Sequence, residues 1–427
     1  MMIFRFIVLL LFLFNSVLSK DLVLDSVSYL KPNSMDFSPV SKITIRQGKI
    51  IEITPSQSPE DSYKYVVPSM CDAFVTLGAD SLGGANNREA VHRALKSFLY
   101  HGFTHIQSVS DGPWIYDIQK QIQKGKILGP EIIIAEKPII AQNKETQNIP
   151  KELYFVGSDK RAIFQEVSSL VKKDSKIVHL FHRFYEDGYS MDSFLFYRLN
   201  RLAQKQNKIL MATTFGDRIS ILEVLRAGIR HIGHPIPSSI QGDFNKIFSE
   251  SIYWSPSFLP YYFLELQGKQ KELQDVYDYF HEKSKFFQKN YSDSMKSQLE
   301  NKTLAEEEIE EAQKEFASYW EFFKNNPALW DNLILSGNSG SRFSFPGIGG
   351  LMELKLYSGV IGNGKKLLKI PTQNTCSFLS ASHSGTIREG EEANLLILQG
   401  NPLENFEHLF EIEYVILKGK KIERWKL

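Results

Sequence analysis

Eight short apolar segments, separated by helical or loop stretches, recur along the chain between residues 66 and 337. They lie at Val66–Val75, Phe103–Val109, Glu131–Glu136, Lys176–Phe181, Lys208–Thr214, Arg230–His234, Ile252–Ser257 and Leu333–Gly337. Strands buried on both faces of a parallel sheet read as nearly continuous apolar runs, and their alternation with helices is typical of a parallel α/β barrel. The sequence therefore predicts an α/β fold, a (β/α)8 TIM-like barrel over residues 66–370.

The length and composition set the class of the protein. The chain has 427 residues, of which 42% are hydrophobic and 23% are charged, as in globular proteins. A barrel of about 250 residues with further domains fits this length. The formal net charge of +1 and the lack of a dense Lys/Arg patch argue against a nucleic-acid-binding protein.

The first 19 residues have the layout of a secretory signal peptide. Arg5 precedes an unbroken apolar run from Ile7 to Phe14, and the next five residues are mostly small or polar, so cleavage is expected after Ser19. The apolar run is too short to span a membrane comfortably, and no other segment qualifies. We expect a periplasmic or secreted protein with no transmembrane domain after cleavage. An uncleaved N-terminal anchor is the alternative.

Two stretches near opposite ends of the chain carry family motifs. Residues 68–76, PSMCDAFVT, resemble the first barrel strand of the amidohydrolase superfamily, where the pattern is P-G-[LIM]-[IV]-D-x-H-x-H. Residues 385–406, GTIREGEEANLLILQGNPLENF, resemble the closing pattern of the same family. The resemblance covers most of residues 22–424 and is closest to the imidazolonepropionase and prolidase-like branch.

The resemblance implies a domain arrangement. N-terminal strands in 20–65 and C-terminal strands in 371–427, a range that also holds the last barrel helix, combine in this family into a small β-sandwich beside the barrel. Residues 267–325 are rich in Glu, Lys and Gln with apolar residues at helical spacing, and they exceed the length of a βα connection. They predict a helical insertion, either a lid or partner-binding arm or an exposed helical hairpin.

The resemblance also implies a binuclear metal site, of which the first two ligands are missing. The family pattern places an H-x-H pair on strand one, and residues two apart on a strand point to the same side, so the pair chelates one metal. Here the two positions are Phe74 and Thr76. Phenylalanine cannot bind a metal, and a neutral hydroxyl is a poor ligand for zinc.

Two further ligand positions have changed. On strand four the bridging lysine of the family corresponds to His179, with Lys176 close enough to leave the register open. On strand five the histidine is replaced by Thr213 or Thr214. No full ligand set for zinc, which normally has at least three protein ligands, remains at these positions.

The last two positions decide the expected function. His234 matches the histidine of strand six, but the catalytic aspartate of strand eight is Asn338, which is uncharged and cannot act as a general base. We therefore expect a non-catalytic barrel that binds a small molecule or a protein and holds no cofactor. The alternative is a hydrolase of carbon–nitrogen bonds, non-peptide or dipeptide amides, with an atypical zinc site.

Other side chains offer a rebuilt metal site. His179 and His182 are three apart and face opposite sides of a strand, so they cannot chelate from one strand. A mixed site from His179, His182 and His234, with Asp111 or Glu136 from neighbouring loops, remains a hypothesis.

Several residues are candidates for a vestigial pocket at the barrel rim. We assign Asp72, Trp114 and Trp254 to this pocket, with packing in the core as the alternative for the aromatic residues. Glu353, in a segment that follows strand eight, is expected to have a structural role.

Cys71 and Cys376 are the two cysteines of the chain, which excludes a disulfide framework and a multi-cysteine zinc cluster. Two separate buried thiols are the simpler expectation, and pairing stays open.

Overall fold

The computed structural model describes residues 21–57, 64–78, 88–144, 146, 149–184, 191–247, 252–283, 305–341, 343–381 and 383–427. The predicted signal peptide lies outside these ranges, as does the middle of the predicted insertion, residues 284–304. Within these ranges, no helix is both long and apolar enough to cross a membrane.

The N- and C-terminal strands form one mixed seven-stranded sheet. Its strands are β1 Leu22–Tyr29, β2 Ser41–Arg46, β3 Lys49–Pro55, β4 Lys64–Pro68, β14 Leu395–Leu398, β15 Ile412–Leu417 and β16 Lys420–Glu423, in the spatial order β16-β15-β14-β4-β1-β2-β3. The turn between β2 and β3 has positive φ at both Gln47 (49°) and Gly48 (83°), as a tight two-residue hairpin requires. Strands from the two ends of the described chain therefore lie in one sheet.

The central strands are all parallel and fall into two sheets. The first contains β5 Met70–Val75, β6 Phe103–Ser108 and β7 Glu131–Ile134; the second runs in the order β13-β12-β11-β10-β8-β9 and contains β8 Ile139–Ala141, β9 Phe155–Gly157, β10 Ile177–Phe181, β11 Ile209–Thr213, β12 His231–Gly233 and β13 Tyr253–Ser255. The chain is thus a mixed α/β protein with parallel sheets. Seven of the eight predicted strand segments contain a strand at the expected place.

The eighth segment, 333–337, bridges the two sheets without forming a regular strand. Isolated bridges pair Leu333 with Trp254 of β13, and Ser339 with Val75 of β5. The Gly337 N–H donates to the Asp72 carboxylate (3.0 Å), and the Leu335 N–H donates to a threonine hydroxyl (2.8 Å). The hydrogen-bond ladder of the described residues does not close into a continuous barrel, because segment 333–337 makes only isolated bridges and β7 is not paired with the second sheet.

Helices alternate with the parallel strands. They are α1 Arg88–Tyr100, α2 Ile115–Gln123, α3 Lys160–Leu170, α4 Ser193–Lys205, α5 Arg218–Arg226, α6 Gln241–Ile247, α7 Leu259–Glu265, α8 Gln270–Lys283, α9 Glu306–Asn325, α10 Ile348–Ser358, α11 Gly364–Lys369 and α12 Thr375–Phe378. The helices α3, α4 and α5 each begin after an aspartate whose carboxylate accepts a backbone N–H, at Asp159, Asp192 and Asp217. Such caps satisfy donors that the helix itself leaves free.

Cys71 of β5 and Cys376 of α12 form a disulfide, with their Cα atoms 5.3 Å apart. The expectation of two separate thiols is therefore wrong. Both cysteines are buried in a cluster that includes Ile177, Met211 and Ile334, on the inner side of the parallel strands. The bond fixes the short helix α12 to the first strand of this core.

The second half of the predicted insertion packs on the core. The first turn of α9 carries three exposed glutamates, as the sequence predicts for a solvated helix face. Further along, Phe316, Tyr319, Phe322 and Phe323 are buried, and the ring of Phe322 lies 5.7 Å from that of Trp254. The second half of this helix is thus part of the core, and its charged first turn is exposed to solvent.

Candidate functional site

A cavity of about 250 Å³ lies where the parallel strands end. Its described lining consists of Phe74, Thr76, Ser110, Tyr154, Phe181, Phe215, His234, Asn338, Gly340 and Ser341. None of these side chains carries a fixed charge. In an α/β barrel this end of the strands is where ligands bind, and we call this space the mouth cavity.

Four of the predicted site residues, Phe74, Thr76, His234 and Asn338, line the mouth cavity. Phe74 covers a fifth. The ring of Phe74 lies edge-on against His179, with 5.8 Å between the ring centroids. Since His179 is 1% exposed, the phenylalanine separates this imidazole from the cavity.

His179 is a buried, neutral imidazole. Its Nε2 lies 3.3 Å from Gln107 Oε1, so Nε2 carries the proton and donates it, while Nδ1 has no hydrogen-bond partner among the described residues. Burial lowers the pKa of His179 to about 4. Lys176, the alternative for this position, precedes β10 and binds Ser380 at the other end of the strand.

His234, the matched ligand of strand six, faces the mouth cavity and is held by its neighbours. Its backbone N–H donates to Ser255 (2.8 Å), and its carbonyl accepts the indole N–H of Trp254 (2.8 Å). The Tyr261 hydroxyl lies 3.2 Å from Nδ1. Burial lowers the pKa of His234 to about 4, so the ring is neutral at physiological pH.

The Tyr261 contact fixes the tautomer of His234. Burial raises the pKa of Tyr261, so its hydroxyl is protonated, and it reaches no acceptor among the described residues other than Nδ1 of His234. A buried O–H without an acceptor is costly, so the hydroxyl donates to Nδ1. The proton of the imidazole then resides on Nε2, which has no hydrogen-bond partner in the described chain, and the residue lines the cavity.

Asn338 and the two strand-five threonines supply neutral polar groups. Asn338 is 9% exposed, and its amide makes no hydrogen bond to a described residue, while its backbone carbonyl accepts the Ser341 hydroxyl (2.8 Å). Thr213 pairs with Phe181 and Gly233 of the adjacent strands. The hydroxyls of Thr213 and Thr214 are buried and lack partners among the described residues.

The proposed mixed metal site is not assembled. His182 binds Glu223 through Nε2 (2.9 Å), and Asp111 accepts bonds from Leu77, Gly78 and Ser108. Glu136 forms an ion pair with a lysine (2.8 Å). Across the described ranges, no group of three or more His, Cys, Asp or Glu side chains is placed to hold a metal.

The donor set therefore does not fit the binuclear centre that the fold family implies. A metal would meet a phenyl ring, hydroxyls and a neutral amide at positions that need imidazoles and carboxylates. One imidazole faces the cavity, and the other is covered by Phe74. We derive no chemical step through a metal here.

Four lining residues adopt left-handed backbone conformations. Ser110, Phe215, His234 and Asn338 have φ of 63°, 52°, 69° and 49°. The first three lie just after a parallel strand, and Asn338 follows segment 333–337. Such conformations cost about 1–3 kcal/mol each and cluster at functional sites. Histidine and asparagine are enriched there, whereas phenylalanine is not. No sequence motif points to Ser110 or Phe215, because backbone strain is not encoded in a local motif.

The three residues assigned to the rim pocket lie elsewhere. Asp72 is fully buried, and its Oδ1 accepts the backbone N–H groups of Gly337 (3.0 Å) and Phe74 (3.2 Å). Burial raises its pKa to about 7. Trp254 is buried in the core. Trp114 lies over Gly78, where a β-carbon would come within 2.5 Å of the indole.

Glu353 is a buried carboxylate that binds backbone N–H groups. Its two carboxylate oxygens accept the backbone N–H groups of Phe258 and Leu259, both at 2.7 Å, and so cap the start of α7. Burial raises its pKa to about 7. The carboxylate lies away from the mouth cavity, in agreement with the expected role.

Comparison with known proteins places the fold. No family model matches the sequence, and no curated protein matches it. Three similar solved structures are an amidohydrolase (TM-score 0.70, 14% identity, 94% of this chain and 99% of that chain), a Xaa-Pro dipeptidase with bound methionine (0.69, 16%, 94% and 100%) and A. niger ochratoxinase (0.69, 14%, 95% and 96%). The resemblance to the amidohydrolase superfamily is thus confirmed at the level of the fold, and these neighbours are hydrolases.

Proposed function

We propose that this chain is an exported, amidohydrolase-like protein that binds a ligand in its mouth cavity and does not perform two-metal hydrolysis. The observation that carries the proposal is the lining of the cavity. Phe74, Thr76 and Asn338 occupy positions of two metal ligands and the general base, and Phe74 covers His179. The strained residues around the cavity support a binding site there.

The proposed architecture goes further than the two sheets. We propose a complete eight-stranded barrel over 66–370, flanked by a sandwich from 20–65 and 371–427. The bridges of Leu333 to Trp254 and of Ser339 to Val75 support it, because they place segment 333–339 between the first and seventh strands.

Export is proposed from the N-terminal signal pattern and is supported by the disulfide. Disulfides persist in oxidising compartments and are rare in the cytosol. Expression with the native N-terminus should yield a mature chain in the periplasm or medium that begins at Lys20. An intact N-terminus in the cytosolic fraction would contradict export.

The alternative function is hydrolysis of carbon–nitrogen bonds with an atypical zinc site. The hydrolase neighbours favour it. Two imidazoles also favour it, because Nδ1 of His179 has no described partner and His234 lines the cavity. A rearrangement of Phe74 would be required to expose His179.

One experiment separates the two functions. Metal content is measured by mass spectrometry on the purified protein, and small amides, lactams and dipeptides are assayed with and without added zinc. We expect well below one metal per chain and no zinc-dependent turnover. A triple variant, Phe74→His/Thr76→His/Asn338→Asp, should gain metal and so shows that the assay detects binding. Zinc-dependent hydrolysis that His234→Ala abolishes and His182→Ala leaves intact would establish the alternative.

A further inference from the structure

The mouth cavity has a polar side formed by the ends of neighbouring strands. The Thr76 N–H donates to the Ser339 carbonyl (2.8 Å), and the Thr76 hydroxyl donates to the Val109 carbonyl (2.9 Å). These bonds join the ends of the first, second and eighth strand segments. Ser110 and Asn338 therefore lie on one side, which we call the polar side.

The other side of the cavity is a continuous aromatic surface. Phe181 lies at its centre, with ring-centroid distances of 6.1 Å to Phe74, 5.8 Å to Tyr154 and 5.7 Å to Phe215. The Phe74 ring is within 25° of parallel to Phe181, whereas the rings of Tyr154 and Phe215 are inclined to it by 57° and 87°. A flat apolar ring can stack on the Phe74–Phe181 pair and meet the inclined rings at its edges.

Three groups at the cavity lack hydrogen-bond partners in the described chain. The Ser110 hydroxyl is buried, with the residue 7% exposed, and makes no bond. The amide of Asn338 is free, and the tautomer set by Tyr261 leaves Nε2–H of His234 as a donor. All three can donate to an acceptor on a ligand.

The described lining carries no charge that would pair with an ionic ligand. The charges of Arg183 and Glu315 shift the pKa of Tyr261 in opposite directions, but neither side chain is part of the described cavity lining. Burying an ion without a partner is strongly unfavourable. The cavity is also smaller than the roughly 300–1,000 Å³ of sites for drug-sized ligands, and larger than the about 150 Å³ that holds benzene.

From these features we infer that the mouth cavity takes an uncharged, single-ring aromatic compound that carries a carbonyl oxygen. The ring stacks on the Phe74–Phe181 pair, and the oxygen accepts bonds from the polar side and His234. The inference rests on the proposed function and specifies its ligand class.

Three probes of similar shape and different charge test the inference. Acetophenone is neutral, benzoate is an anion and benzamidinium is a cation, and none is hydrolysed by water at neutral pH on the timescale of a titration. Binding to the full mature protein is measured by calorimetry or ligand-observed NMR. We expect acetophenone to bind at least tenfold more tightly than either ion.

Two variants locate the binding site, with a matched control. Ser110→Ala should weaken the binding of acetophenone about two- to tenfold, the effect of one lost hydrogen bond. Ser220→Ala, on α5, removes another fully buried hydroxyl that has no described partner. It should leave the affinity for acetophenone unchanged. Asn338→Asp keeps the shape of the side chain, adds a negative charge and should make benzamidinium the tightest probe.

The possible results separate this inference from the proposed function. Tighter binding of benzoate or benzamidinium to the wild type, or no binding of any probe at millimolar concentration, would overturn the ligand class. Equal loss in Ser110→Ala and Ser220→Ala would overturn the site. Zinc-dependent hydrolysis in the earlier assay would instead overturn the proposed function, whatever the probes do.

Discussion

Removal of the disulfide between Cys71 and Cys376 should destabilise the protein by several kcal/mol. The two residues are 305 positions apart, so the bond closes a loop of most of the chain. The loss of loop-closure entropy in the unfolded state then corresponds to about 5–6 kcal/mol in the chain-entropy model, and measured disulfides give about 2–4 kcal/mol. We expect a decrease of at least about 2 kcal/mol in the free energy of unfolding.

Denaturant unfolding of three samples measures this effect. They are the oxidised protein, the same protein refolded under reductant, and the variant Cys71→Ala/Cys376→Ala. The reduced protein keeps both buried sulfurs, so its difference from the oxidised form reports the cross-link alone. The free energy of unfolding should decrease more in the double-alanine variant than in the reduced protein, because the variant leaves small cavities in the buried cluster. Identical unfolding of the oxidised and reduced forms, or two thiols titrated in the denatured oxidised protein, would refute the reasoning.

Four further variants, one of them a control, test the described packing. An alanine in a left-handed backbone conformation costs about 1–2 kcal/mol. Gly216→Ala should destabilise the protein by more than this, because the new β-carbon would lie 2.2 Å from the Tyr319 hydroxyl. Gly125→Ala has similar φ and open space around it, so an equal effect of both changes in urea unfolding would contradict the close approach. Glu353→Gln should cost about 1–3 kcal/mol, because one of two buried N–H groups loses its acceptor; unchanged stability would argue against the cap. Asp72 has a pKa raised from 3.8 to about 7, so its stabilising protonation is present at pH 4 and is lost as the pH rises through 7. Relative to Asp72→Asn, the wild type should therefore lose about 4 kcal/mol between pH 4 and pH 8, and a difference that does not vary with pH would exclude a buried, protonated Asp72.

The apolar runs predicted most of the parallel strands because burial on both faces leaves a clear pattern in the sequence. The segment 333–337 has the same pattern and still forms no regular strand. The Ile334 N–H bonds to the Trp254 carbonyl as in a strand, but the N–H groups of Gly337 and Leu335 bond to the Asp72 carboxyl group and to a threonine hydroxyl. These partners lie far away in sequence, so no local pattern could predict the interruption.

The candidate site was only partly predictable. The motif positions of Phe74, Thr76 and Asn338 led to the mouth cavity, because a family pattern fixes which strand ends meet. Trp254 was misplaced, since both faces of a buried strand are apolar and the sequence does not distinguish them. Ser110 and Phe215 were missed because their side chains enter the cavity through left-handed backbone conformations.

The disulfide illustrates a different limit. Pairing requires Cα atoms within about 4.4–6.8 Å, and nothing in the composition reports a distance between residues 71 and 376. Only the packing of the short helix α12 against the first parallel strand brings them to 5.3 Å.

The pairing of β4 with β14 has a consequence for the order of folding. Val67 meets Leu396 across this ladder, and the disulfide joins the chain at nearly the same sequence separation. Contacts of such long range form slowly, because loop closure is costly before it is rewarded. A growing chain therefore keeps this edge of β4 unpaired until residues 395–398 have emerged. The disulfide and the β4–β14 ladder thus both need chain that is made more than 300 positions after the strands they join.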